Sequence, residues 1–405
     1  MWIERELAAS LVGLAQTFPV VVLVGPRQVG KTALLERTFP HYRYASLDVG
    51  ELGEMAETRP DDFLERFPPP VVLDEIQYAP AFFRAIKTAV DRRRAERGLF
   101  VLTGSQNFTL MKSVADSLAG RSAVVPFLGL SGREWAAAPG FVEQHGFREL
   151  VWRGSFPGLW AEGTPARDRW YQGYVASYLE RDVRNLLRVG SLRDFERFLR
   201  ACALRCGQLL NMSELGRDVG ISPTTAREWV SVLVASNLIL LLEPYHRSLG
   251  KRLVKSPKLY FTDTGLAAYL MGLQSADAAW ASPQAGALFE THVVGQWHRW
   301  RDWHAPAAGL WFWQDRSGNE VDLLIELDAR LVALECKLGS RPTAHDARGI
   351  AKLRAFYGAD QVSAAFVACT ADAPHEIADG VVARSGFTSW EVQPNTKAGG
   401  SSRRR

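Results

Sequence analysis

Five apolar residues, Val20-Val21-Val22-Leu23-Val24, lead directly into Gly25-Pro26-Arg27-Gln28-Val29-Gly30-Lys31-Thr32, and the apolar helical pattern of Ala33, Leu34 and Leu35 follows. The β-branched run reads as a buried strand and the spacing after it as a helix. A strand joined to a helix through a turn spelled G-x-x-x-x-G-K-[ST] is a phosphate-cradling loop. Gly25 and Gly30 let the backbone turn where a Cβ would clash. The freed N–H groups then face phosphate oxygens beside the positive end of the helix. Pro26, Arg27, Gln28 and Val29 form the body of that cradle. Lys31 is expected to reach the β- and γ-phosphates, and Thr32 to hold Mg²⁺.

A second element points to hydrolysis as well as binding. Val71-Val72-Leu73-Asp74-Glu75 is a short apolar run that ends in two carboxylates and reads as a buried parallel strand. Asp74 is expected to hold Mg²⁺, and Glu75 to orient or activate the attacking water. Further strands are expected at Tyr42 to Asp48, Leu99 to Thr103 and Ser122 to Phe127, with helices between them. That alternation predicts a parallel sheet with helices on both faces, its strand C-termini converging on the ligand. Thr103, Ser105 and Asn107 follow the strand at 99–103 and are candidate γ-phosphate sensors. The phosphate loop, the Asp74-Glu75 pair and this polar step resemble those of the AAA-type P-loop ATPases. The resemblance implies ATP as the nucleotide, and an arginine that completes the site from a neighbouring copy, hence a homo-oligomer. Arg121 is the first candidate for that arginine and Arg133 the second.

At 405 residues the chain is too long for one core. Its 47% hydrophobic and 23% charged residues are those of an ordinary globular protein. No apolar run is long enough to span a membrane and the first residues do not read as a signal peptide, so a cytoplasmic setting is expected. Four cysteines without a C-x-x-C pair exclude a disulfide scaffold and a zinc knuckle. A net charge of +4 permits nucleic-acid binding without requiring it.

The middle of the chain, from about 129 to 200, reads as mostly helical. Trp170, Tyr174 and Tyr178 recur at helical spacing, as a core stripe does. Glu180-Arg181-Asp182 reads as a salt-bridged surface face. A helix is then expected after Ser213, a break at Gly220, and a second helix after Ser222, with Pro223 in its first turn. This is helix-turn-helix punctuation. Strands at Ile239–Glu243 and Lys258–Thr262 follow, and the basic stretch between them, His246 to Lys255, resembles the wing of a winged-helix domain. Such a domain would present Thr224, Thr225, Arg227 and Ser231 to double-stranded DNA. A protein-interaction module of the same shape is the alternative.

Near the C-terminus, Val321 to Leu327 and Leu331 to Lys337 read as two strands joined by a turn at Asp328-Ala329. With a two-residue loop, Leu327 faces Arg330 and Asp322 faces Glu335. Lys337 and Glu320 share that face by alternation. A helix over Gly286 to Trp297 carries Glu290. Glu290, Asp322 and Glu335 are candidate ligands for Mg²⁺ or Mn²⁺, with Lys337 as a catalytic lysine. The Asp…Glu-x-Lys arrangement, followed by a helix (Thr343 to Tyr357) and a strand (Val362 to Cys369), resembles the restriction-endonuclease-like fold. A catalytically silent version of that fold is the alternative.

The order of parts resembles a family of bacterial and archaeal AAA-type ATPases with a C-terminal restriction-endonuclease-like domain of unknown function. The expected fold class is α/β and multidomain. An AAA-type P-loop domain is expected at 1–130, a helical lid at 131–200 and a winged-helix domain at 201–275. A restriction-endonuclease-like domain at 276–392 and a disordered basic tail at 393–405 complete the chain. The expected function is ATP hydrolysis coupled to DNA, either with cleavage or as an ATP-gated regulator or signalling switch.

Overall fold

The computed structural model describes residues 2–104, 114, 116–163, 165–178, 192–245 and 255–390. Ser105, Asn107, the face at 180–182, residues 246–254 of the expected wing and the tail at 393–405 lie outside the described residues. The chain divides into two compact units. One comprises Met1–Leu204, Met212–Leu240 and Phe261–Ala276, and the other Arg205–Asn211, Leu241–Tyr260 and Asp277–Arg405.

The first unit opens with α1 (Leu7–Thr17), β1 (Val20–Val24) and α2 (Lys31–Thr38). Next come β2 (Arg43–Ser46), α3 (Gly50–Thr58), α4 (Pro60–Arg66), β3 (Val71–Asp74), α5 (Phe82–Arg92), β4 (Phe100–Gly104) and β5 (Ser122–Pro126). The five strands form one parallel sheet of order β2-β3-β4-β1-β5. All five residues of β1 are buried, because a central parallel strand is covered on both faces. Phe82, Phe83, Ile86 and Val90 of α5 recur at helical spacing and pack into the same core. Since every strand runs the same way, Val24, Asp74 and Gly104 finish on one edge of the sheet. The expected parallel sheet is therefore present, with β2 shorter than the run from Tyr42 to Asp48 because its ends turn into loops.

Helices α6 (Gly132–Ala137), α7 (Phe141–Arg153), α8 (Arg167–Tyr178) and α9 (Leu192–Ala203) follow. Ser131 and Glu134 start α6 with a reciprocal capping box. Trp170 stacks on Tyr174 at 5.5 Å, and Tyr171, Tyr174 and Tyr178 are buried, so this aromatic stripe is core. A short strand β6 (Gln208–Leu209) precedes α10 (Met212–Val219) and α11 (Pro223–Ala235). Gly220 breaks the two helices apart at φ 85°, and the Ser222 hydroxyl caps α11 by accepting from Thr225 N at 3.0 Å. Leu215, Trp229, Val230 and Leu233 face inward, whereas Thr224, Arg227 and Ser231 are exposed. Strands β7 (Ile239–Leu242) and β8 (Lys258–Phe261) and helix α12 (Thr264–Leu270) come next.

In the second unit, β6 pairs antiparallel with β8 through Leu209 and Lys258. After α13 (Ala276–Ala281) come α14 (Ala285–His304), β9 (Gly309–Gln314), β10 (Glu320–Leu327), β11 (Arg330–Cys336), α15 (Arg348–Tyr357), β12 (Val362–Cys369), β13 (His375–Ala378) and β14 (Val381–Ser385). The six strands make a mixed sheet of order β13-β14-β12-β11-β10-β9. Leu327 pairs with Arg330 and Leu323 with Leu334, the register that a two-residue turn dictates. Asp328 and Ala329 both take positive φ, 48° and 60°, as a twist-matched hairpin turn requires. Helix α14 runs to His304, beyond the Trp297 expected from its apolar spacing, and α15 begins at Arg348 after a 3₁₀ turn at Ala344–Ala347.

Candidate functional site

The loop between β1 and α2 is shaped by two close constraints. A Cβ on Gly25 would stand 1.9 Å from the Phe127 carbonyl oxygen, so only glycine lets these backbones meet. Gly30 takes φ 89°, a conformation glycine adopts freely. An open cleft of about 470 Å³ lies over the loop, lined by Arg27, Gln28, Gly30, Lys31, Thr32, Glu75 and Ser177. Lys31 is buried, and its Nζ donates to Gly25 O at 2.9 Å and Pro26 O at 2.8 Å.

Asp74 stands at the end of β3 under the loop. Its Oδ2 accepts from Thr32 Oγ1 at 2.7 Å and from the Tyr44 hydroxyl at 2.6 Å, and its Oδ1 accepts from Thr103 Oγ1. Thr103 Oγ1 in turn accepts from the Glu75 N–H at 3.1 Å. The chain Thr32–Asp74–Thr103–Glu75 ties two strand ends, those of β3 and β4, to the first turn of α2. Thr103 is fully buried with its hydroxyl committed here, so it positions the acids. Glu75 adopts φ 55°, ψ 47°, a left-handed conformation that costs a non-glycine residue about 1–2 kcal/mol. Its carboxylate lines the cleft and accepts from Gln77 Nε2. Burial, then the hydrogen bond to Asp74, pushes the Tyr44 phenol well above its usual range, so Tyr44 stays a donor.

Sequence reasoning missed Arg5. Its buried guanidinium donates from Nη1 to Val29 O at 2.8 Å, from Nη2 to Leu128 O at 2.8 Å, and from Nε to Glu134 Oε1 at 2.9 Å. It also lies 4.0 Å from the centre of the Phe127 ring. Glu134 accepts two further backbone donors, Glu6 N at 2.9 Å and Ser131 N at 2.8 Å. One arginine thus pins the phosphate loop to the segment after β5. A smaller cavity of about 110 Å³ adjoins Gly30 and Ala33 and is walled by Trp2, Ile3, Leu130, Phe141 and Trp160. No local motif announces Arg5 or this cavity. Trp2 and Ile3 beside a lone arginine were the only signals.

The two candidate completing arginines sit elsewhere. Arg121 precedes β5, and its carbonyl accepts from Val20 N at the start of β1. That is the opposite edge of the sheet from the loop, roughly 15 Å away along the strands. Its guanidinium is engaged by Asp91 at 2.8 and 3.2 Å. Arg133 lies 3.9 Å from Glu6. Arg121 therefore does not reach the phosphate loop of its own chain.

In the second unit, Glu290 from α14 meets Glu320 and Asp322 from β10, and one carboxylate oxygen of each lies within 4.8 Å of the others. Lys258 of β8 sits among them. Its Nζ is 3.0 Å from Glu290 Oε1, in contact with Glu320, and 3.5 Å from Asp322 Oδ1. Tyr260 donates to Glu290 at 2.5 Å, and Asp322 Oδ2 accepts from Cys336 N at 2.8 Å. Glu335 is buried beside Asp322, and Lys337 Nζ is 3.6 Å from its Oε2. Burial, reinforced by Asp322, pushes the Glu335 carboxyl well above its usual range, against the pull of Lys337. Burial and Asp322 also raise Glu290 to about 7, against the pull of Lys258. Burial works against Asp322 too, but Lys258 and the Cys336 N–H outweigh it and hold its pKa low. A lysine inside an apolar strand was the one sequence signal for Lys258.

A phosphate loop, a strand-end acid pair and a five-stranded parallel sheet define a P-loop ATPase domain of the AAA type. Residues 17–136 match the AAA domain family. Residues 144–277 match a domain of unknown function, DUF8612, and residues 285–386 match another, DUF4143. The chain belongs to the same family as the uncharacterized proteins Rv2008c of Mycobacterium tuberculosis and Mb2031c of Mycobacterium bovis. Each is 31% identical to it over 346 residues, 84% of this chain and 75% of the mycobacterial protein. Among solved structures, the Walker-type ATPase PABY2304 of Pyrococcus abyssi matches 66% of this chain and 96% of its own, at 17% identity and a TM-score of 0.41. No helix among the described residues is long and apolar enough to cross a membrane.

Proposed function

We propose that the chain hydrolyses ATP at the Lys31 loop and uses the cycle to control how its other parts engage double-stranded DNA. The observation that carries the hydrolysis is the hydrogen-bond chain Thr32–Asp74–Thr103–Glu75, buried beneath the cleft that Thr32 and Glu75 line. These residues fit MgATP. Thr32 and Asp74, already 2.7 Å apart, would hold Mg²⁺, which would supply charge neutralisation on the phosphates. Lys31 exchanges the carbonyls of Gly25 and Pro26 for β- and γ-phosphate oxygens. Glu75, held by its backbone to Thr103, orients and deprotonates the attacking water. The cavity beside Trp2, Phe141 and Trp160 takes the base. Arg121, facing outward from the far sheet edge, serves the site of a neighbouring copy in a homo-oligomer. Lys31→Ala is the test: the folded variant should lose turnover by at least a hundredfold, and unchanged turnover would end the assignment.

The DNA reading rests on α11, which exposes Thr224, Arg227 and Ser231 on one stretch of surface. Duplex binding should weaken with salt and weaken further in Arg227→Ala. For the second unit, Glu290, Asp322, Glu335 and Lys337 support a nuclease-like fold. The Lys258 ammonium among the acids favours the non-cleaving, ATP-gated regulator over a metal-loaded nuclease. Incubation of plasmid with Mg²⁺ or Mn²⁺, with and without ATP, decides between them. Cleavage that disappears in Glu335→Ala and Lys337→Ala would make the unit a nuclease.

A further inference from the structure

The acid cluster of the second unit has the shape of a divalent-cation site, yet its geometry does not suit a divalent cation as it stands. Oxygens of Glu290, Glu320 and Asp322 lie within 4.8 Å of one another, close enough to share one ion. The Lys258 ammonium touches all three residues. Lys258 is only 3% exposed and held on β8, where Leu209 of β6 pairs opposite it. A Mg²⁺ or Mn²⁺ ion bonded at about 2.1 Å to these oxygens would lie against the ammonium, charge to charge, with little water between them.

We infer that Lys258 is a tethered counter-ion that takes the divalent-cation position of this cluster. The cluster is closed to metal while β8 holds the lysine there, and removing the ammonium opens a site for Mg²⁺ or Mn²⁺. Two features beyond the acids themselves support this. The ammonium makes contacts of 3.0 and 3.5 Å to Glu290 and Asp322 while also touching Glu320, as a central cation does. Tyr260, two residues along the same strand, donates to Glu290 at 2.5 Å, so β8 supplies both the cation and a donor that orients one of its ligands.

The test uses the full chain without nucleotide and Mn²⁺ as probe, followed by the loss of the free-ion electron paramagnetic resonance signal. Wild type, Asp322→Asn, Lys258→Ala and the Lys258→Ala/Asp322→Asn pair are compared. Wild type and Asp322→Asn should bind Mn²⁺ alike. Lys258→Ala should gain one site, at least tenfold tighter than any in wild type, that vanishes in the pair. A wild-type site lost in Asp322→Asn overturns the inference, and that arm needs no lysine variant. A folded Lys258→Ala protein with no added site overturns it too. If Lys258→Ala is poorly folded, 1 mM Mn²⁺ should raise its melting temperature by several degrees and leave wild type unmoved. Equal response of the two also overturns it.

Discussion

Replacing Arg5 with methionine removes a guanidinium and keeps most of the side-chain volume. Arg5 makes three buried hydrogen bonds, at 2.8, 2.8 and 2.9 Å, one of them to the fully buried Glu134 carboxylate. Breaking a buried ion pair from one side costs about 3–5 kcal/mol, mostly as an uncompensated charge. Glu134 keeps two backbone donors, from Glu6 and Ser131, which places its share near the lower figure. The carbonyls of Val29 and Leu128 each lose a donor, adding about 1 kcal/mol apiece. Arg5→Met should therefore destabilise the first unit by about 5 kcal/mol, a fall in melting temperature of about 10–20 °C. Urea unfolding followed by circular dichroism measures the first quantity and calorimetry the second. Adding Glu134→Gln removes the orphaned charge and should recover at least 1 kcal/mol. Nucleotide affinity should fall in both variants, because Val29 is no longer pinned. A loss below 1 kcal/mol in Arg5→Met, or a double variant weaker than the single, would refute the clamp.

Gly25→Ala should weaken nucleotide binding at least tenfold and cost about 1–3 kcal/mol, because its Cβ meets the Phe127 carbonyl at 1.9 Å. Gly13→Ala at an exposed position of α1, with nothing within 4 Å, should instead stabilise by about 0.5–1 kcal/mol; denaturation with a fluorescent-nucleotide titration checks both. Burial lowers His292 to about 4, with its Nε2 2.9 Å from Phe387 O. Its contribution to stability is thus complete above about pH 6.5 and lost as pH falls toward 4, up to about 3 kcal/mol. Glu290, raised to about 7, titrates nearby with the opposite sign. The difference between wild type and His292→Gln over that window isolates the histidine, and a difference independent of pH would contradict the buried neutral ring.

What the sequence made legible was local. The phosphate loop is eight consecutive residues, Asp74 and Glu75 close one strand, and two turn residues set the register that pairs Leu327 with Arg330. Periodicity and turn chemistry act over such distances, so these features can be read directly. Contacts between distant segments have no such signature. Arg5 and Glu134 are 129 residues apart, and Tyr44 reaches Asp74 only because β2 lies beside β3. The sequence names Arg121 as an arginine for a neighbouring copy, but its place at the sheet end remote from its own loop follows only from strand direction. Lys258 is a charge in an otherwise apolar strand, and nothing near it in sequence names the acids it meets.

The place of β1 in the strand order also bears on how the protein is made. Strand β1 lies between β4 and β5, so the loop that leaves it at residue 25 is flanked on both sides only once residue 126 exists. Its arginine clamp needs Glu134 as well. A ribosome working at about 5–20 residues per second leaves the finished loop sequence waiting roughly 5–20 s for those partners. During that time β1, an unbroken run of five apolar residues, waits for β4 on one side until residue 104 and for β5 on the other until residue 126. This apolar strand and the phosphate loop are adjacent, and both are completed by the same late-arriving segment.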